Sequence, residues 1–362
     1  MSIEQLVVSD FRNLRYGKYE LDKHFNFVIG DNGSGKSSFL EAIFYLAHGK
    51  SFRTNKVDAI VCHHKEQVVV SAKDEANVRL GIRKNFVNGE TEIKVDDERC
   101  NRLSDLAKNI AVQIVTPESF KLFFGGPKER RKFFELGLFH VKHEFSETWR
   151  QFNRVLKQRN ACLRTQADAS TLNYWTQLFC QMSEEISNFR QNYVDLLTEE
   201  LDEWLTILLP NVSRETSVQY YQGWSAKKSL CNVLSENEAR ERKQGFSLYG
   251  AQKFDVRFTV NGHPIENQLS RGQQKLFLLA LTLAQTKAIE KVKQVKPILL
   301  IDDVGAELDD NSRRLLASAL ERVESQIIIT AIEEKVLAEL MPANNKFKMF
   351  HVEHGKLSEK SE

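Results

Sequence analysis

Residues 30–37 read Gly30-Asp31-Asn32-Gly33-Ser34-Gly35-Lys36-Ser37, which satisfies G-x-x-x-x-G-K-[ST] at every constrained position. Upstream, Phe25-Asn26-Phe27-Val28-Ile29 is a short apolar, β-prone segment. Downstream, Ser38-Phe39-Leu40-Glu41-Ala42-Ile43-Phe44-Tyr45-Leu46 is apolar at helical spacing. Strand, glycine loop and helix form the context in which this pattern cradles phosphates. Glycines let successive backbone N–H groups turn toward one anion, and the helix start adds its positive dipole end. A triphosphate is therefore expected over Gly30 to Ser38. Lys36 would reach its β- and γ-phosphates, and the Ser37 hydroxyl would be one ligand of a bridging Mg²⁺. A flexible turn before an ordinary helix has no need of lysine and then serine at those two positions.

The chain has 362 residues, 41% apolar and 28% charged, which predicts a globular protein of two domains. No apolar run is long enough to span a bilayer, and Met1 to Asp10 reads as a strand and not as a signal segment, so a cytoplasmic location and no membrane partner are expected. Cys62, Cys100, Cys162, Cys180 and Cys231 are scattered, without C-x-x-C pairs or zinc spacing, and are read as reduced. The net charge of +2 gives no general attraction to nucleic acid, so DNA binding would need a local patch.

Working outward, residues 3–9 and about 17–30 read as strands, with Asp10-Phe11-Arg12-Asn13 between them, where Arg12 is a candidate to lean over the nucleotide. Alternating segments near 67–72, 78–84 and 91–96 predict an antiparallel β layer with a turn at Asn88-Gly89. Residues 111–116 form another buried-looking strand, interrupted by Gln113. From Lys128 the pattern turns helical. Phe145, Trp149, Phe152 and Leu156, then Leu172, Trp175, Phe179, Met182, Ile186, Phe189, Tyr193 and Leu196, recur at steps of three and four, which predicts a helical hairpin. Its second helix is expected to run from about 172 to Leu209, before Pro210. Residues 211–246 read as polar and irregular, and strand character returns at 250–260. The expected organisation is α/β: an ATPase head of residues 1–127 and 249–362, interrupted by a mostly helical domain at 128–248.

The last hundred residues add the remaining machinery. Leu269-Ser270-Arg271-Gly272-Gln273-Gln274-Lys275 opens a helix, a second anion-ready N-terminus. Asp302 ends the apolar run Ile298-Leu299-Leu300-Ile301, typical of a central parallel strand, and so emerges at the sheet's carboxyl edge. There Asp302 is expected to serve Mg²⁺ and Asp303 to orient the attacking water, with Gln113 the next catalytic candidate.

This order of phosphate loop, glutamine strand, LSRGQ helix, paired aspartates and Glu307-Leu308-Asp309 turn resembles the ATP-binding cassette superfamily, in the branch that includes SMC and RecF proteins. The resemblance to the RecF family is closer still, through Asp10 to Asn13, Gly49 to Arg53, Thr116-Pro117-Glu118 and Gly126 to Arg131, and it runs from end to end of the chain. Departures are Ala251 where the family commonly has proline, Asp303 where cassette proteins at large carry glutamate, and Thr330 where many have a switch histidine. The resemblance implies a bacterial protein that binds ATP, forms an ATP-dependent homodimer and binds DNA at single-strand/double-strand junctions. With RecO and RecR it would aid RecA loading at gaps and the SOS response.

In a cassette arrangement Ser270, Arg271, Gly272 and Gln273 complete the partner's site, so that two ATP molecules glue two heads together. Asp303, one methylene shorter than glutamate, implies slow hydrolysis and a dimerisation switch. Local charge for DNA is sought in Lys128, Arg130, Arg131 and Lys132 and in Arg150, Arg154 and Lys157, spaced for one face of the first hairpin helix. The alternative function is the ATPase subunit of a membrane transporter.

Overall fold

The computed structural model describes residues 2–54, 56–100, 102–303, 308–342 and 346–360. Glu307, expected in the turn after the paired aspartates, lies outside them. The chain divides into two compact units, one of residues 1–119, 204–209 and 271–362, the other of residues 120–203 and 210–270.

The first unit is built on the apolar runs of the sequence. A six-stranded sheet has the order Lys356–Glu359, Lys348–Glu353, Phe25–Ile29, Ile327–Ala331, Ile298–Ile301 and Val112–Val115. All neighbours are parallel except the terminal hairpin. Its central strands are buried throughout, as parallel strands covered on both faces must be. The second sheet is antiparallel, in the order Gly17–Glu20, Ile3–Ser9, Gln67–Asp74, Arg79–Asn85, Thr91–Val95 and Glu98–Cys100. In Gln67–Asp74 every second residue is buried, so only one face meets the core. The helix Lys36–His48 has all but two of its thirteen residues buried. Phe39, Leu40, Ile43 and Leu46 share one core cluster with Leu6, Val8, Val70 and Ile82 from the antiparallel sheet and Leu300, Ile328 and Phe350 from the parallel one. Each large apolar side chain so buried contributes about 1.5–3 kcal/mol, which ties the phosphate-loop helix to both layers. The α/β head with its antiparallel layer is as expected.

The second unit contains the predicted hairpin as far as residue 203. Its helices are His143–Arg164 and Ala169–Leu208, and Phe145 meets Phe189 at 6.3 Å while Phe152 stacks on Phe179 at 5.4 Å. Cys162, Leu163 and Leu172 close its tip. Pro210 follows the end of the second helix, where a ring without an N–H cannot continue the ladder.

Three expectations are corrected. The stretch read as irregular contains the strand Thr216–Tyr221 and the helix Leu230–Gln244. That helix is capped by Ser229, whose side chain accepts from the Asn232 N–H, and ended by Gly245 in the left-handed region. Its buried apolar residues fall within its first five positions, and a buried Arg159–Glu241 ion pair at 2.6 Å holds the remainder, so no period announces it. The head resumes at residue 271 and not at 249, because Asp255–Val260 pairs with Thr216–Tyr221 in a three-stranded sheet of the second unit. Finally, Cys180 and Cys231 are not free. The unforeseen helix brings them to a Cα separation of 5.8 Å in a disulfide, across 51 residues of sequence, while Cys62, Cys100 and Cys162 are free thiols.

Candidate nucleotide site

The loop between the strand Phe25–Ile29 and the helix Lys36–His48 depends on glycine where the sequence places it. Gly30 and Gly35 have φ of 153° and 130°. A Cβ on Gly30 would come within 2.4 Å of the Val352 carbonyl oxygen, so no larger residue fits there. Asn13 fastens the loop from outside, its Nδ2 donating to the carbonyls of Gly33 and Ser34 at 3.1 and 3.0 Å. The Gly355 N–H also donates to the Ser34 carbonyl at 3.0 Å. Asn13 stood in the quoted sequence, but nothing in its spacing showed that it would hold the phosphate loop.

Lys36 folds over this loop, its Nζ donating to the carbonyls of Gly30 and Asp31 at 2.6 and 2.9 Å. Burial lowers its pKa, and the charges of Asp303, Asp302 and Asp31 oppose that shift. The ammonium thus sits among carboxylates that offset part of the cost of its burial. The Ser37 hydroxyl donates to Asp302 Oδ1 at 3.1 Å, across 265 residues of sequence. Asp302 is 8% exposed at the end of Ile298–Ile301, and its Oδ1 also accepts from the Thr330 hydroxyl at 2.7 Å. These groups line one cleft of about 650 Å³, together with Asn32, Gly33, Gly35, Ser38 and Asp303.

The donor set fits a magnesium nucleotide. Ser34 Oγ is buried in this loop and has no hydrogen-bond partner among the described residues. Ser37 and Asp302 supply two hard oxygen ligands, and no group of three or more His, Cys, Asp or Glu able to hold a metal occurs among the described residues. Two protein oxygens, completed by phosphate and water, is how Mg²⁺ is commonly bound at such sites.

Two predicted site residues do not stand as expected. Gln113 is buried in the strand Val112–Val115, in register with Leu299, three residues before Asp302, and does not line the cleft. The parallel register alone decides this, since a glutamine at the second position of a strand stays below the sheet's carboxyl edge. Arg12 does line the cleft, but its Nε and Nη2 each donate to one Glu41 oxygen at 2.7 Å and its Nη1 to the Ala59 carbonyl at 2.8 Å. Arg12 braces the loop's surroundings and does not stand free over the phosphates. Glu41 is fully buried and also accepts from the Ser51 hydroxyl at 2.5 Å. Its place in an apolar helix was the one available signal.

Arg271, Gly272 and Gln273 open the helix Arg271–Lys293, and none lines the cleft. Ser270 and Arg271 are exposed. Of the cations considered for DNA, Arg130 binds both oxygens of buried Asp255 at 2.8 and 2.9 Å, and Arg131 donates to the Phe254 carbonyl at 3.0 Å. Both are structural, and Lys132 pairs with Glu129. Arg150, Arg154 and Lys157 are exposed and line an open groove of about 420 Å³ with Trp149 and Asn153. None of the three makes an ion pair among the described residues.

Residues 2–358 match the family model described as RecF/RecN/SMC N terminal domain. A protein of Colwellia psychrerythraea named DNA replication and repair protein RecF is 56% identical, over 98% of this chain and 97% of its own. Proteins of the same name from Pseudoalteromonas translucida and Haemophilus influenzae are 40% and 38% identical, each over at least 98% of both chains. Among solved structures, the recombination mediator protein RecF-ATPrS in the RecFOR pathway superposes with a TM-score of 0.86 at 24% identity, covering 99% of this chain and 98% of its own. An SMC head bound to the C-winged helix domain of ScpA superposes at 0.57 and 17% identity, covering 100% and 98%. These two likenesses concern the fold.

Proposed function

The chain belongs to the RecF family, and on that footing we propose that it is an ATP-dependent DNA-binding protein of recombinational repair and replication restart. The observation that carries this is the meeting of Ser37 with Asp302 beneath the glycine loop, beside a buried Lys36. Loop, lysine and carboxylate together have the chemistry of a triphosphate-and-magnesium site, and a DNA-repair name accompanies relatives that align over nearly the whole chain. The transporter alternative has no support in these relatives.

Bound nucleotide with Mg²⁺ would supply the charge that two subunits share. Lys36 neutralises the phosphates, Ser37 and Asp302 hold the metal, and Asp303 orients water. Ser270 at its helix start offers an N–H-rich surface to a partner's γ-phosphate. Weak hydrolysis then acts as a release step of a dimerisation switch. RecO and RecR are the expected protein partners, and single-strand/double-strand junctions the expected DNA.

The test is a titration of purified protein with junction DNA, with ATP and without it. Binding that tightens at least about tenfold with ATP supports the reading, and binding indifferent to ATP rejects it. Lys36→Ala isolates the nucleotide step: it should lose ATP affinity by at least about tenfold in a fluorescent-nucleotide titration, because it removes the loop's only cation. Equal affinity in mutant and wild type would overturn the assignment of Lys36.

A further inference from the structure

Thr330 is the second-to-last residue of the strand Ile327–Ala331, at the position where many cassette proteins carry a histidine. It is fully buried and does not line the cleft, so it cannot replace that histidine as a phosphate contact. Its hydroxyl is instead engaged twice. It accepts from the Asp303 backbone N–H at 3.0 Å, and its proton goes to Asp302 Oδ1 at 2.7 Å. The roles follow from the inventory of donors, since an amide can only donate and a single hydroxyl proton is left for the carboxylate.

The backbone shows why the first bond matters. Asp303 has a φ of 53°, in the left-handed region that a residue with a side chain occupies only when its surroundings hold it there. The Thr330 oxygen holds its N–H, and Lys275 Nζ reaches its carbonyl at 3.4 Å. Register makes the contact available, for Ile329 pairs with Ile301 and so brings Thr330 alongside Asp302. A valine would fill the same volume and make neither bond.

We infer that Thr330 is a positioning residue, whose one hydroxyl locks the metal-side carboxylate of Asp302 and the turn that aims Asp303 into a single unit. The inference deepens the nucleotide reading above and rests on Asp303 orienting the attacking water. Removing the hydroxyl leaves Asp302 Oδ1 held by Ser37 alone and lets Asp303 relax from its left-handed conformation, while leaving the phosphate loop and Lys36 intact.

The experiment compares wild type, Thr330→Val, Thr330→Ser and Asp303→Asn in the full chain. It measures fluorescent-ATP affinity without Mg²⁺, the Mg²⁺ midpoint for nucleotide binding, and single-turnover hydrolysis. For Thr330→Val the expected result is a hydrolysis rate at least about tenfold lower and a Mg²⁺ midpoint raised several-fold, with metal-free affinity within about threefold of wild type. Thr330→Ser keeps the hydroxyl and should restore both. Should the valine variant fail to fold, Thr330→Ala removes the same bonds with a smaller side chain and carries the same expectations. Wild-type hydrolysis and Mg²⁺ midpoint in the hydroxyl-free variant overturn the inference. So does a serine variant as impaired as valine, since that would make methyl packing the cause. Unchanged hydrolysis in Asp303→Asn overturns the reading of Asp303 and the inference with it, whereas a slow Asp303→Asn beside a normal Thr330→Val rejects Thr330 alone.

Discussion

Arg12 and Glu41 show what a residue's identity leaves open about its role. Arg12 stands in the connection between two strands and Glu41 in the helix after the loop, and sequence alone offers Arg12 to the nucleotide and gives Glu41 no role. The ion pair between them spans 29 positions and joins the hairpin before the loop to the helix after it, so no local spacing encodes it. Because Glu41 is buried and meets Arg12 twice, losing its charge leaves a guanidinium without its anion. Glu41→Gln is therefore expected to destabilise the first unit by about 2–4 kcal/mol, seen as a lower urea midpoint. An unchanged midpoint would show that water replaces the carboxylate at no cost. That Lys36, Ser37, Asp302 and Asp303 would meet in one cleft, by contrast, is legible from sequence. Chemistry that needs particular atoms on one anion restricts residue types tightly, whereas a brace such as Asn13 or Glu41 is visible only once the chain has folded.

At the scale of elements, legibility follows period. The buried strands and the aromatic hairpin stand out because each repeats one spacing over many residues. The helix Leu230–Gln244 does not, since its apolar side is confined to Leu230, Val233 and Leu234 and its far end is fixed by a buried ion pair. The helix Lys36–His48 carries a testable consequence at its last turn. His48 Nε2 lies 3.1 Å from the Val112 carbonyl oxygen, and burial pushes the imidazole down to about 4, against the raising effect of that carbonyl and with a further lowering by Lys50. An unfolded histidine takes its proton near pH 6.5, roughly, so between there and about pH 4 the unfolded chain binds more protons than the folded one. The stability contribution of His48 is thus fully present above about pH 6.5 and is lost as pH falls toward 4, by up to about 3 kcal/mol. His48→Gln should flatten that limb of a stability-versus-pH curve measured by denaturant unfolding. A variant with the wild-type slope over this window would assign the acid sensitivity to other groups.

At the scale of the whole molecule, the order of motifs along the chain carried the family, and the boundaries between units did not follow from it. The strand Asp255–Val260 looked like a return to the head because a strand's pattern does not name its partner. The proposed function depends at this scale on two copies. Ser270→Arg tests assembly, since bulk and charge at that helix start should leave ATP binding intact and abolish the ATP-dependent dimer in sedimentation. A normal mutant dimer would remove Ser270 from the interface. The proposed DNA binding would draw on the same two copies. With Arg130, Arg131 and Lys132 held by their own unit, the cations left for phosphate are Lys128, Arg150, Arg154 and Lys157, and the last three share one groove. Three contacts from one subunit bind weakly, and a dimer doubles them, each adding about 0.9 to the slope of log affinity against log salt. ATP should therefore raise both the affinity for duplex DNA and its salt dependence. Arg150→Glu with Arg154→Glu removes two contacts per subunit, so the slope measured with ATP should fall by about 3–4 for a dimer and by about half that for a monomer. The difference between those two values counts the subunits on the DNA. A double mutant with wild-type affinity and slope would return these residues to the solvated surface and place the DNA path on the head.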